Sequence, residues 1–168
     1  MKRMEEIPGF EEYKIFKYTP SWLNLFGDYY PEKVTLRRVI RFLLAMPCGY
    51  EIYSLIKDEV VEGYCALQSG KTRRFDYTES DDLVVGPYYI LPDFQGNALA
   101  AKLIAAILEY KKGLYIHAFA YIKNDNIASK KTVEKVGFSF YSNAYVTRVK
   151  ANVKKTDDEN TLYSIYRY

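Results

Sequence analysis

The residues best placed to do chemistry lie where the apolar run Leu83 to Leu91 gives way to the turn Ile90-Leu91-Pro92-Asp93-Phe94-Gln95-Gly96-Asn97-Ala98-Leu99-Ala100. The text before this turn reads as a strand and the text after it as a helix. A strand that ends tightly and opens a helix aims several unpaired backbone N–H groups at one point. The helix dipole adds to their pull on an anion such as a pyrophosphate. Small residues at Gly96, Ala98 and Ala100 let such a group approach the main chain closely. The same small residues would also let the helix pack tightly on a sheet, so composition alone leaves both readings open.

Other catalytic arrangements find less support. His117 is the one imidazole in the chain. It falls inside the apolar run Leu114 to Ile122 and reads as a packed or hydrogen-bonded strand residue rather than a base. Cys48 and Cys65 have no CxxC partner, which points away from a disulfide framework or a zinc site and fits a reducing, cytoplasmic setting. No metal is expected. Gly70-Lys71-Thr72 looks like the end of a phosphate-binding P-loop, but the first Gly of that motif falls on Cys65, with Gly63 two residues too early. The text that follows, Arg73 to Tyr77, opens no apolar-faced helix. Lys plus Arg number 24 against 21 Asp plus Glu, for a formal charge of +3. That balance is too weak to imply nucleic acid or anionic lipid; a nucleic-acid binder would have to build on Lys71, Arg73, Arg74, Phe75 and Tyr77. The N-terminal MKRMEEIPGF has no signal-like apolar run, and no stretch is long enough to span a membrane.

With 168 residues, 49% of them apolar, the chain is expected to form a single domain over 1–168 with a sizeable core. Its 18 Tyr and 9 Phe favour strands. Tyr13 to Tyr18 is the first expected strand, followed by an irregular aromatic segment from Ser21 to Tyr30. Pro31 suits the first turn of a helix whose core side is Val34, Ile40, Phe42, Leu43 and Leu44, until Pro47 stops it. Glu51 to Lys57 and Val60 to Leu67 read as a hairpin about Asp58 and Glu59. Gln68 to Asp82 is a polar loop. Leu83 to Leu91 is a central strand in which Pro87 marks a bulge or an interrupted ladder. Asn97 to Lys112 is a helix capped near Gly113, Leu114 to Ile122 a strand, and Asn124 to Val136 a helix ending at Gly137. Phe138 to Lys150 and Thr161 to Tyr168 are strands around the polar linker Ala151 to Asn160. The order predicts one α/β domain with a mixed, mostly antiparallel sheet of about seven strands flanked by helices.

The turn at Gln95 resembles the acyl-CoA loop of the GNAT N-acetyltransferase superfamily: Gln or Arg, two residues, Gly, one residue, then Gly or Ala. Gln95 holds the first place, Ala98 stands where Gly is usual, and Ala100 satisfies the last. Asn126-Ile127-Ala128-Ser129, followed by Glu134-Lys135-Val136-Gly137-Phe138, is similar to the family's second CoA-contacting helix. The resemblance covers Asp82 to Tyr141 best, with the N-terminal third compatible in element order. It implies splayed central strands, the fourth and fifth in the order above. It also implies that the Ile90 main chain binds the pantetheine arm, that the Tyr88 amide points at the thioester carbonyl, and that the backbone of Gly96, Asn97, Ala98, Leu99, Ala100 and Ala101 holds the pyrophosphate. Asn126 and Ser129 would flank the pantetheine or the sulfur, and Lys102, Lys130 and Lys131 would reach toward the 3′-phosphate.

Two positions depart from the family. Val133 stands where many members carry a Tyr that protonates the leaving thiolate, and Val84 where some carry a Glu base, with Asp82 outside that place. Ser129, Tyr121, Tyr141 or a relayed water are left as candidates for the proton steps. The expected function is transfer of an acetyl group from acetyl-CoA, as cosubstrate, to an amine by direct attack on the thioester. Tyr88, Ser129 and Tyr141 are the catalytic candidates. Acceptor walls are expected from Trp22 to Tyr30, from the starts of the last two strands and from the Gln68 to Asp82 loop. The alternative is a non-catalytic acyl-CoA sensor, which the two valines favour. The expected partners are acetyl-CoA and an amine, with no membrane or nucleic acid, in a monomer or homodimer.

Overall fold

The computed structural model describes residues 4–147 and 151–168. Its strands are β1 (Met4–Phe10), β2 (Tyr13–Tyr18), β3 (Tyr50–Lys57), β4 (Val60–Ser69), β5 (Leu83–Ile90), β6 (Ala118–Lys123), β7 (Ser139–Val146), β8 (Val153–Thr156) and β9 (Tyr163–Arg167). The helices are α1 (Leu36–Ala45), α2 (Leu99–Tyr110) and α3 (Ile127–Val136). All nine strands join one sheet in the order β1-β2-β3-β4-β5-β6-β9-β7-β8.

Local chemistry explains the middle of this sheet. Asp58 and Glu59 both take positive φ, 47° and 64°, between the paired residues Lys57 and Val60, so a two-residue turn closes the β3–β4 hairpin with the twist its strands need. Gly63 lets β4 lie close to β5, because a Cβ there would come within 2.6 Å of the Tyr89 carbonyl oxygen. Between the pairs Cys65 with Tyr88 and Leu67 with Val85, β5 carries one more residue than β4. This is the bulge expected at Pro87, which has no N–H to give the ladder.

The β5–β6 pair is parallel and registers only at Leu83 with Ala118 and Val84 with Phe119. Beyond Val85 the two strands part, which is the splay expected of the central strands. One face of the sheet packs against α2 and α3 through Val85, Leu103, Ile107, Ala120, Ile122 and Val133. The other carries two aromatic clusters. Phe42 of α1 packs with Tyr18, Tyr50, Ile52 and Tyr64 in one, while Phe75 and Tyr77 of the β4–β5 loop join Phe119, Val153 and Ile165 in the other.

The expected mixed, mostly antiparallel sheet flanked by helices is observed, with nine strands where about seven were expected, and several element boundaries are corrected. The first unexpected strand, β1, was hidden by Glu5, Glu6 and Pro8, residues an edge strand accepts because one side of it faces solvent. The second, β8, lies inside the expected linker and is anchored by the buried Val153. The first helix starts at Leu36, with Thr35 accepting from the Arg38 amide, rather than near Pro31. Phe42 and Ala45 form its buried side, while Val34, Ile40 and Leu44 are exposed, because Phe26 and Tyr30 fill the space toward the sheet. Leu114 and Ile116 are exposed turn residues, so β6 opens at Ala118. Gln68 and Ser69 belong to β4 rather than to the following loop. The strand expected over Phe138 to Lys150 is observed as β7; residues 148–150, like 1–3, lie outside the described residues.

Candidate active site

Where β5 and β6 part, they leave a cleft of about 360 Å³ that reaches the N-terminal end of α3. Gly86 and Tyr88 line it from the bulged strand, Tyr121 and Lys123 from β6, and Asn126 and Ser129 from α3. A bulge leaves one residue of its strand without a partner across the ladder. Here that residue lies between Val85 and Tyr88, beside the cleft, and the Gly86 carbonyl accepts from the Gln68 side chain at 3.0 Å.

The turn that ends β5 is built as an open nest of amides. Pro92 to Phe94 form a short 3-10 turn, and the Gln95 side chain folds back to donate to the Ile90 carbonyl at 2.9 Å. Gly96 takes φ 95° and Ala98 the left-handed conformation, φ 54° and ψ 22°. The first intrahelical bond runs from the Lys102 amide to Ala98, and no side chain caps the helix, so the N–H groups of Leu99, Ala100 and Ala101 lack helical partners. No acidic residue occupies the first turn of α2 itself, although Glu11 and Glu12 of the β1–β2 turn share a pocket with Asn97 and Leu99. Leu99 and Ala101 bury their side chains in the core, so they can meet a ligand only through the backbone.

Strand β5 and the second half of the sequence motif meet across the cleft. Asn126 caps α3 by accepting from the Ser129 amide at 3.1 Å, and the Ser129 carbonyl accepts from the Tyr88 hydroxyl at 3.0 Å. Burial pushes the Tyr88 hydroxyl up to about 12. With its proton already given to Ser129, that hydroxyl ties β5 to α3. Ser129 Oγ has no hydrogen-bond partner among the described residues and lies on the cleft wall.

Other candidates lie elsewhere. Tyr141 is not on the cleft wall; its ring packs on Phe119 and under the Arg167 guanidinium. Val84 and Val133 are buried core residues. Asp82 is buried and accepts from the His117 and Glu79 amides, with the His117 ring Nδ1 at 3.3 Å, so both side chains staple the base of the split. Lys102 pairs with Glu11 at 2.6 Å, whereas Lys130 and Lys131 hold no carboxylate among the described residues. Phe75 and Tyr77 are buried, which removes the aromatic platform a nucleic-acid binder would need. Among the described residues no three His, Cys, Asp or Glu side chains cluster as a metal site requires, and no helix is long and apolar enough to cross a membrane.

Sequence reasoning missed Lys123 and Tyr163 on the cleft wall. Alternation along β6 would have placed Lys123 with Tyr121, but β9 enters only through the sheet order.

A sequence model of the acetyltransferase (GNAT) family matches residues 19–138. No curated protein matches the chain by sequence. Among solved structures, a ribosomal L7/L12 alpha-N-protein acetyltransferase in complex with coenzyme A superposes with a TM-score of 0.62 at 14% identity, covering 98% of this chain and 97% of that one. An acetyltransferase of this family from Bacillus anthracis gives 0.58 at 15% identity, over 98% and 96% of the two chains. A putative acetyltransferase from Salmonella typhimurium with its cofactor acetyl-CoA gives 0.55 at 19%, over 85% and 76%. At these identities the likeness is one of fold.

Proposed function

Because the chain belongs to the acetyltransferase (GNAT) family, matched over residues 19–138, we propose that it moves the acetyl group of acetyl-CoA to an amine by direct attack on the thioester. The observation that carries this reading is the uncapped amide turn of α2 beside the parted strands β5 and β6. Anion-binding amides in the turn that follows β5, one of the two strands of the cleft, suit a long thioester with a pyrophosphate at its far end. The backbone from Gly96 to Ala101 would hold that pyrophosphate. Ile90 would guide the pantetheine arm past Asn126, with Lys130 near the 3′-phosphate.

In the reaction the amine nitrogen bonds to the carbonyl carbon and the carbonyl oxygen takes up negative charge. The Tyr88 amide, next to the bulge, is the donor we assign to that oxygen. Collapse breaks the C–S bond. The thiolate takes one proton, for which Ser129 Oγ is the leading donor as it accepts another from solvent, and the new amide loses one to solvent. Holding the two reactants in line supplies most of the acceleration, which this chemistry allows without a dedicated carboxylate base. We also place the enzyme in the cytoplasm, a reading that the free thiols of Cys48 and Cys65 support.

Thiol release from acetyl-CoA is measured against a panel of amines across pH. The expected rate depends on the amine and rises with pH as that amine loses its proton, so the profile shifts when the amine's own pKa is changed. Background thiol release with every amine, in a sample whose acetyl-CoA binding is confirmed by calorimetry, would overturn the transferase reading in favour of a sensor.

A further inference from the structure

The two sides of the cleft differ in charge. Along β6, Ala118, Ala120 and Ile122 turn toward α2 and α3, while Phe119 and Tyr121 belong to the opposite face. The same alternation puts Lys123 beside Tyr121. Tyr163, the partner of Lys123 on β9, lies on that face as well. Lys123 is the one charged residue on the cleft wall among the described residues, and no carboxylate lies within ion-pair reach of it.

Behind Tyr121 stands Arg74, from the β4–β5 loop. Its Nη2 donates to Tyr121 Oη at 2.6 Å and its Nε to the Ala151 carbonyl at 3.1 Å. The guanidinium lies over the Tyr121 and Phe75 rings, 5.4 Å from each. Among the described residues Nη1 is buried without a partner, and so is the hydroxyl of Tyr77, a residue only 8% exposed that feels the charge of Arg74 and the hydroxyl of Tyr121. Lys17, Arg38 and Lys111, cations that the fold also half buries, each hold a carboxylate at 3.0 Å or less. Arg74 has none among the described residues.

A half-buried guanidinium with one arm unsatisfied and no counter-charge is an unfinished network. Tyr121 already accepts from Arg74, so its own proton points away from the guanidinium. On the cleft wall it is a donor backed by positive charge. We propose that the acceptor is an amine that also bears a carboxylate, as an amino acid does, held by Lys123 and the Tyr121 hydroxyl with Arg74 behind them. The inference rests on the transferase reading and adds the substrate class. The same two cations repel acceptors with a second ammonium group, so polyamines are excluded by charge.

The test compares kcat/KM for ω-amino acids from glycine to 4-aminobutyrate with n-alkylamines of the same length and with the matching aminophosphonates. In the unmodified enzyme at least one amino acid is expected to exceed its alkylamine by more than tenfold. Lys123→Gln and Arg74→Gln should each cut that ratio by about tenfold, the size of one charge-assisted hydrogen bond. Because Arg74 also braces Ala151, Tyr121→Phe, which keeps the ring packing, provides a variant with less risk to the fold and should lower the same ratio. A ratio at or below one at every length, a ratio unmoved by all three variants, or preference for the phosphonate would overturn the proposal.

Calorimetric binding of N-acetyl-4-aminobutyrate and of N-butylacetamide to the CoA-loaded protein reads recognition without turnover. Selective binding of the carboxylate with no thiol release for any amine would sink the transferase reading alone. Turnover without carboxylate preference would sink the substrate class alone.

Discussion

Ala98 occupies a backbone position that explains why glycine is usual there. At φ 54° a Cβ crowds the neighbouring carbonyl, a cost of roughly 1 kcal/mol for a residue other than glycine. Ala98→Gly should therefore raise the unfolding free energy by about 1 kcal/mol in urea titration, and a loss of stability would contradict the strain argument. Ala98→Glu sets a carboxylate against the open amides, and calorimetry should then show acetyl-CoA binding abolished while circular dichroism stays native. Ser129 can be tested in the same way. With Val133 buried in the core, Ser129→Ala should lower kcat by about tenfold to a hundredfold, the low end of a general-acid contribution, with acetyl-CoA affinity little changed. Full turnover in that variant would pass the role to water or to Tyr121. The residue types at Gln95, Ala98, Ala100, Asn126 and Ser129 were legible in the chain because their spacing is local. Arg74 was legible only as a basic residue in a loop, since its partner Tyr121 is 47 positions away.

At the scale of elements, α3 couples stability to the site. Asn126 both caps the helix and lines the cleft. Replacing it with Ala should cost about 1 kcal/mol in chemical unfolding, while Asn126→Ser, which can still accept from the helix amides, should recover most of that. Equal losses in both variants would show that the cap is not the source of the effect. Periodicity located α2 and α3 to within two or three residues, and Pro87 marked the bulge, because each is a property of one short segment. Periodicity failed for α1 and for Leu114 and Ile116. An apolar residue becomes core only if another element covers it, and the aromatic segment Phe26 to Tyr30 took the place that Ile40 and Leu44 were expected to fill.

Across the whole molecule, tyrosines dominate the response to alkali. Burial pushes the hydroxyls of Tyr30 and Tyr88 up to about 12 and those of Tyr53, Tyr64 and Tyr77 further still. An unfolded tyrosine loses its proton near pH ~10, so above that pH the unfolded chain binds fewer protons than the folded one. The stability these groups contribute is whole below about pH 10 and drains away as pH rises through their folded values at about 12 and above. Tyrosinate absorbance and circular dichroism followed together should show a set of tyrosines that ionise only as the fold is lost. Complete ionisation ahead of unfolding would contradict the burial.

The sequence by itself determined what acts through neighbours a few residues apart: the strand–turn–helix at Gln95, the end of α3 at Gly137, the β3–β4 hairpin, and the mixed α/β class. The tertiary structure alone decided which residues meet across long separations. It parted β5 from β6 after two paired residues, set β9 beside β6, and drew the β4–β5 loop over Phe119 and Tyr121. Backbone amides and helix caps are satisfied within a turn of chain, whereas a cleft wall and its charge are assembled from strands whose order in the sheet has no local signature.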